Sequence, residues 1–276
     1  MTAVLFPGQG SQTKDMRADV QRLRPDLLEM AEGELGLDPF ERVDEGTRYT
    51  QPAIYCASIA GWSVVDRGEV TCMAGHSLGE FAALVAAGAM SERDGLRLVA
   101  LRGRLMSEPR GGGMMAISTS FDEVTPFAER FGLTVANDNS PQQVILSGDG
   151  AAIDAAVQAA KDEGLRATRL RVSGAFHTDE MAPAAPELRA ALDEVELFEP
   201  SVPVLSCTTA EPFEDFRHQL VDGLTTPVRW RETALALRER GETRFLEVGP
   251  GRVLTGLVRR TLDDVEATTV LEAARA

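Results

Sequence analysis

The sequence predicts an α/β fold, in which a large α/β subdomain is interrupted by a smaller ferredoxin-like one. Three observations carry this reading. Two short apolar runs, at residues 3–6 and 70–74, each pass into a Gly-rich turn and then into helical periodicity, as strand–turn–helix units do. A triple glycine, Gly111-Gly112-Gly113, marks a change of texture. Beyond it, roughly sixty residues follow the β-α-β-β-α-β order of a split-βαβ unit.

Taken in order, residues 3–6 are the first strand and Pro7-Gly8-Gln9-Gly10-Ser11 the turn that follows. Apolar positions at helical spacing predict a helix over 16–35. A second helix covers 54–65 and starts near Thr50-Gln51-Pro52, because proline is well tolerated in a first helical turn. The buried strand at 70–74 leads through Gly75-His76-Ser77-Leu78-Gly79 into a small-residue helix at 80–87, and another helix covers 91–106. In the insert, strands fall at 114–118, 133–137, 143–148 and 167–172, with helices at 121–130 and 151–163. The chain then returns to the large layer with strands at 202–206 and 244–248. The large subdomain is therefore 1–112 with 174–276, and the small one 113–173. No internal repeat or low-complexity tract interrupts this order.

Composition narrows the function classes. A chain of 276 residues, 43% hydrophobic, can bury an ordinary core. Against 28 basic residues stand 43 acidic ones, a formal net charge of −15. That field repels polyanions and argues against a nucleic-acid or anionic-membrane binder; an anionic partner would need a local basic patch. Cys56, Cys72 and Cys207 are odd in number and scattered, which gives neither a disulfide framework nor metal-ligand spacing and fits a reducing cytosol. The N-terminus has no basic stretch followed by a long apolar one, and the longest apolar run, about 81–90, is too short and Gly-broken to cross a bilayer. A soluble cytoplasmic protein, with no bound cofactor or metal, is expected, and monomer is the default state.

Gly75-His76-Ser77-Leu78-Gly79 fits the pattern G-x-S-x-G. A serine on a tight strand-to-helix turn projects its hydroxyl from the sheet, and the flanking glycines let backbone and helix approach closely. The Leu78 N–H then lies at a helix N-terminus, where it can stabilise an oxyanion. A plain glycine turn would give the same pentapeptide, but the strand before it and the helix after it are the context a nucleophile requires. Such a serine needs a base. Of three histidines, His76 adjoins the serine and is expected to point elsewhere, and His218 lies in the polar run Asp215-Phe216-Arg217-His218-Gln219. Elimination leaves His177, in Ser173-Gly174-Ala175-Phe176-His177, as the base for Ser77.

These residues, with others in the same order, resemble the malonyl-CoA:acyl-carrier-protein transacylases of fatty-acid and polyketide synthesis. The shared motifs are Phe6-Pro7-Gly8-Gln9-Gly10-Ser11-Gln12, Gly75-His76-Ser77-Leu78-Gly79-Glu80, Arg102-Gly103-Arg104-Leu105-Met106 and Asn139-Ser140-Pro141. Ala175-Phe176-His177, Thr226-Pro227-Val228-Arg229-Trp230 and Glu247-Val248-Gly249-Pro250-Gly251 follow. The resemblance implies an α/β-hydrolase-like large subdomain with a ferredoxin-like insert. It implies that the Gln9 N–H joins that of Leu78 as an oxyanion donor, and that Arg102 pairs with the free carboxylate of a malonyl group. A guanidinium suits that task because it stays charged and offers a fork of donors. Phe176 resembles the residue of malonyl-selective members, where a large ring beside the α-carbon crowds a methyl branch; core packing explains a phenylalanine equally well. Met106 and Asn139 would line the acyl pocket. The segments 12–54 and 207–226 are shorter than is usual. Gly223 stands where the family uses a backbone carbonyl, often of a glutamine, to orient the base.

The expected reaction is a ping-pong exchange. Malonyl-CoA acylates Ser77, and the phosphopantetheine thiol of an acyl carrier protein then takes the malonyl group. Arg166, Arg169 and Arg171, the last two alternating onto one strand face, are the candidate docking patch for an acidic carrier protein. Three alternatives use the same residues differently: an acyl hydrolase, for which a buried Arg102 has no use, a catalytically idle docking module, and a transacylase for another acyl unit.

Overall fold

The computed structural model describes residues 1–109, 111–172 and 174–270. Ser173, the last residue of the expected insert, and residues 271–276 lie outside the described residues. The chain runs through β1 (Thr2–Phe6), α1 (Met16–Leu23), α2 (Asp26–Leu35), α3 (Thr47–Trp62), β2 (Val70–Gly75), α4 (Gly79–Ala86) and α5 (Glu92–Ser107). Next come β3 (Gly112–Ile117), α6 (Phe121–Arg130), β4 (Thr134–Ser140), β5 (Gln143–Asp149), α7 (Gly150–Asp162) and β6 (Ala167–Arg169). The last part holds α8 (Ala185–Asp193), β7 (Val204–Leu205), α9 (Phe216–Asp222), α10 (Trp230–Glu239), β8 (Arg244–Glu247), α11 (Val253–Thr261) and β9 (Glu266–Thr269).

Two sheets result. The first is parallel, five-stranded and ordered β7-β2-β1-β8-β9. Its central strand β1 is buried along its whole length, so it reads as a continuous apolar run rather than an alternating one. The second is antiparallel, four-stranded and ordered β4-β5-β3-β6, the arrangement of a ferredoxin-like unit. It packs α6 and α7 against its own apolar core around Met115, Val144, Leu146 and Ile153.

Several elements differ from the sequence reading. The helix expected over 16–35 is two helices, because Pro25 stands at the break between α1 and α2. α3 begins at Thr47, so Pro52 lies inside it rather than in its first turn. The strand expected over 167–172 stops at Arg169, although the Leu170 N–H still reaches the Met114 carbonyl at 2.9 Å. β9 and the four helices α8 to α11 were not foreseen.

The small sheet is joined by backbone to the segment that precedes α10. Asp138 N–H donates to the Val228 carbonyl and Val228 N–H to the Ala136 carbonyl, both at 2.8 Å. The buried Asp138 carboxylate also takes a 2.8 Å ion pair from Arg231 on α10. This seam fixes β4 over the carboxyl ends of β1 and β2, where ligands bind in parallel α/β sheets.

Candidate active site

The turn after β2 is shaped by sterics. A Cβ on Gly75 would lie 2.0 Å from the Gly79 carbonyl carbon, and one on Gly79 would lie 2.1 Å from the Phe6 carbonyl oxygen. Only glycine at both positions lets strand, turn and helix meet this closely. Between them Ser77 adopts φ +53°, and His177 on its own loop adopts φ +59°. Left-handed backbone in a non-glycine residue costs about 1–3 kcal/mol and gathers at functional sites.

Three side chains converge. Ser77 Oγ lies 3.0 Å from His177 Nε2 and 3.0 Å from Arg102 Nη2. His177 Nδ1 lies 3.2 Å from the Thr226 carbonyl oxygen, an acceptor that puts the proton on Nδ1 and leaves the Nε2 lone pair facing the serine. The sequence reading gave this orienting role to Gly223. The hydrogen bond belongs instead to Thr226, three residues on, with the Gly223 backbone a smaller influence.

Electrostatics set the protonation states. Burial, followed by the charge of Arg102 and then His76, pushes His177 down to about 3, so it is a neutral proton acceptor at physiological pH. Arg102, only 3% exposed on the inner face of α5, is lowered by burial to about 10 and remains a cation. Its Nη1 donates to Gln51 Oε1 at 2.8 Å. Gln51 Nε2 donates in turn to Thr47 Oγ1 at 2.8 Å, and Thr47 Oγ1 to Gln9 Oε1 at 2.8 Å. One chain of hydrogen bonds therefore runs from the Gln9 turn through α3 to the guanidinium and the serine.

The site opens on a cavity of about 320 Å³ lined by Gln9, Ser77, Leu78, Arg102, Asn139 and Phe176, among others. Met106 lines it as well and takes a 3.4 Å contact from Gln51 Nε2 on its sulfur. Among the described residues, neither the Gln9 nor the Leu78 backbone N–H has an acceptor within the protein. Both stand at the wall beside Ser77. His76 points away from the serine oxygen, as expected, with Nε2 2.9 Å from Asn139 Oδ1, and it lines the same cavity. Arg169 and Arg171 line one cavity with Gln9 and Phe176, although the strand expected to carry both ends at Arg169. Arg169 is turned onto α7, paired with Asp154 and the Gly150 carbonyl, and Arg171 lies beyond the end of β6. Arg166 is exposed.

Sequence reasoning missed Thr47 and Gln51, and it missed that the buried Glu80 reaches Ser206 and Cys207. Thr47 and Gln51 share one face at i and i+4, but the first turn of α3 also holds Arg48 and Thr50, so spacing alone did not single them out. Among the described residues, no group of three or more His, Cys, Asp or Glu side chains could hold a metal ion.

Comparison with known proteins agrees with this geometry. Residues 42–275 match the acyl transferase domain family. The malonyl CoA-acyl carrier protein transacylase of Synechocystis is 38% identical over 98% of this chain and 96% of its own length. The polyketide biosynthesis protein ThaF of Burkholderia thailandensis is 39% identical over 95% of this chain, which spans only 24% of that longer protein. A type II polyketide synthase malonyl-transacylase, solved in complex with its acyl-carrier protein, superposes with a TM-score of 0.89 at 37% identity, covering 97% of this chain and 95% of its own. With a serine elbow, a paired histidine and a buried arginine on this two-sheet frame, the chain belongs to the malonyl CoA-acyl carrier protein transacylases of the acyl transferase family.

Proposed function

We propose that the protein moves a malonyl group from malonyl-CoA to the phosphopantetheine thiol of an acyl carrier protein, through an ester on Ser77. One observation carries the reading: base and cation meet on the same serine oxygen, each at 3.0 Å. A guanidinium that close to the nucleophile selects for length. The reacting carbonyl carbon sits at Oγ, and a carboxylate two C–C bonds of about 1.5 Å away falls on Arg102. A longer diacid would overshoot the fork, and a neutral acyl chain would leave a buried cation unpaired, which is costly. The neutral-chain hydrolase is disfavoured on that ground.

In the first half-reaction, His177 Nε2 takes the Ser77 proton as Oγ attacks the thioester carbon. The oxyanion lies against the Gln9 and Leu78 N–H groups, and two such donors are worth several kcal/mol. The C–S bond then breaks and the CoA sulfur leaves with the proton from His177. In the second, the carrier thiol gives its proton to His177 and attacks the ester, and Ser77 leaves with that proton. Phe176, 6% exposed against the cavity, narrows the space beside the α-carbon. The large subdomain, 1–112 with 174–276, supplies nucleophile and base, and the small one, 113–173, closes the cleft. Because Arg169 is already paired with Asp154, Arg166 and Arg171 are the residues of the proposed patch that would meet a carrier protein first. No helix among the described residues is long and apolar enough to cross a membrane, and the proposed setting is the cytoplasm.

The test is intact mass after brief incubation with malonyl-CoA, methylmalonyl-CoA or acetyl-CoA. A malonyl adduct that Ser77→Ala abolishes, and that passes to added carrier protein, is the expected outcome. Release of free acid from a neutral thioester without an adduct would overturn it.

A further inference from the structure

Glu80 is a carboxylate 3% exposed, in the first turn of α4 directly behind the elbow. An acid in a first helical turn ordinarily faces its own helix dipole. This one reaches across to another element. Its Oε1 accepts from the Cys207 N–H at 2.8 Å and from Ser206 Oγ at 3.0 Å, both in the loop that follows β7. β7 is a two-residue strand at the sheet edge beside β2; the segment after it turns back on itself, with Ser206 N–H on the Glu211 carbonyl at 2.8 Å and Phe213 N–H on the Val204 carbonyl at 2.9 Å, and Glu80 ties that turn to α4.

From Cys207 two paths lead to the reacting groups. Its Sγ accepts from the Ser77 N–H at 3.4 Å and so touches the strained residue that carries the nucleophile. Its carbonyl accepts from the Arg229 N–H at 2.6 Å, and Arg229 lies three residues from the Thr226 carbonyl that orients His177. The other carboxylate oxygen lies beside the turn at Gly223, where an added Cβ would meet Oε2 at 3.7 Å.

We infer that Glu80 is a positioning residue for the transfer reaction: by anchoring Cys207 it fixes both the backbone of Ser77 and the carbonyl that holds His177. Glu80 touches no reacting atom. Burial raises its carboxyl to about 7, with the Cys207 N–H and Ser206 hydroxyl opposing the rise. A group so costly to bury is retained where its hydrogen bonds matter more than its charge. The proposal rests on Ser77 and His177 being nucleophile and base.

The test uses two readouts on the full chain: the rate of malonyl-Ser77 formation by rapid quench and intact mass, and inactivation by a fluorophosphonate. The second needs an aligned serine and histidine but no carboxylate pocket. Glu80→Ala should slow both by about 100-fold, the loss expected for a misplacement of about 1 Å. Glu80→Gln keeps an acceptor oxygen for both bonds and should recover to within about tenfold of wild type. Cys207→Ala and Glu80→Ala together should lose less than the product of the single losses, because they break one path. Wild-type rates in Glu80→Ala overturn the proposal. So do equal losses in Glu80→Gln and Glu80→Ala, which would assign the effect to charge, and so do multiplicative losses in the double variant. If Glu80→Ala does not fold, the Glu80→Gln and Cys207→Ala rates and their combination decide in the same way. Failure of the underlying reading looks different: wild type would form no malonyl adduct, or Ser77→Ala would keep one.

Discussion

Removing Arg102 should separate acyl units by charge. The guanidinium is buried, fixed on one side by Gln51 at 2.8 Å and aimed at Ser77 Oγ at 3.0 Å on the other. A malonyl carboxylate entering this site replaces the serine oxygen as partner, and both charges are then out of water. Leaving a buried charge without its partner costs about 3–5 kcal/mol. At about 1.4 kcal/mol per decade, Arg102→Ala should lower kcat/KM for malonyl-CoA by at least two orders of magnitude. Acetyl-CoA offers no carboxylate and leaves the cation unpaired, so the same substitution should cost it about tenfold at most. The assay is single-turnover acylation of Ser77 with each thioester, followed by mass, with thermal unfolding as a control for folding. A loss equal for both thioesters would refute the reasoning and make Arg102 a structural support of the elbow. Arg102→Lys should not restore the malonyl rate, because a point charge cannot hold Gln51 and a carboxylate in one plane.

The pH profile of acylation should show no acid limb near 6.5. His177 is held down to about 3, so its neutral form persists far below the ordinary range; a limb at 6–7 that His177 variants abolish would contradict this. The sign for stability runs the same way. Between about 3 and 6.5 the unfolded chain binds a proton that the folded His177 does not, so the folded state loses stability as pH falls through that window, and His177→Gln should flatten this slope in denaturant titrations. Gln51→Leu leaves Arg102 Nη1 without its acceptor and Thr47 without its donor, and should raise KM for malonyl-CoA about tenfold with acetyl transfer little changed.

What could be read in the sequence was what depends on neighbours along the chain. The elbow is five consecutive residues whose glycines have one steric purpose, so Gly75 and Gly79 announced Ser77 before any fold was known. The β-α-β-β-α-β order was likewise local, and the four strands fell close to where they occur. The base could be found only because histidines are scarce. Thr47, Gln51 and Glu80 escaped because their partners lie far off in sequence: Gln51 meets Arg102 across 51 positions, and Glu80 meets Cys207 across 127. The error over Gly223 has the same origin. A backbone carbonyl carries no residue-type signature, and moving its role by three positions changes nothing that composition or spacing can register. The arginine pair is a different case: alternation assigns a shared strand face only while the strand continues, and β6 ends at Arg169, although Arg169 and Arg171 still line one cavity.

Ser77 and His177 are both non-glycine residues in the left-handed region, on segments 100 positions apart, and each would relax if its surroundings allowed it. What prevents relaxation differs between them. Ser77 is trapped mainly by close contact, since strand, helix and the β1 carboxyl end meet at Gly75 and Gly79 with no room for a Cβ. His177 is held by directed bonds: Nε2 on the serine and Nδ1 on Thr226. Close packing therefore dominates at the nucleophile, with the Cys207 sulfur on the Ser77 N–H as a lesser directed hold, whereas the base depends on where one carbonyl sits. That carbonyl belongs to a segment whose backbone is tied to Cys207 and to β4 of the small subdomain. The alignment of the pair is thus decided in the scaffold behind the histidine, and substitutions in the 206–208 loop or the Val228 seam should act on the base sooner than on the serine.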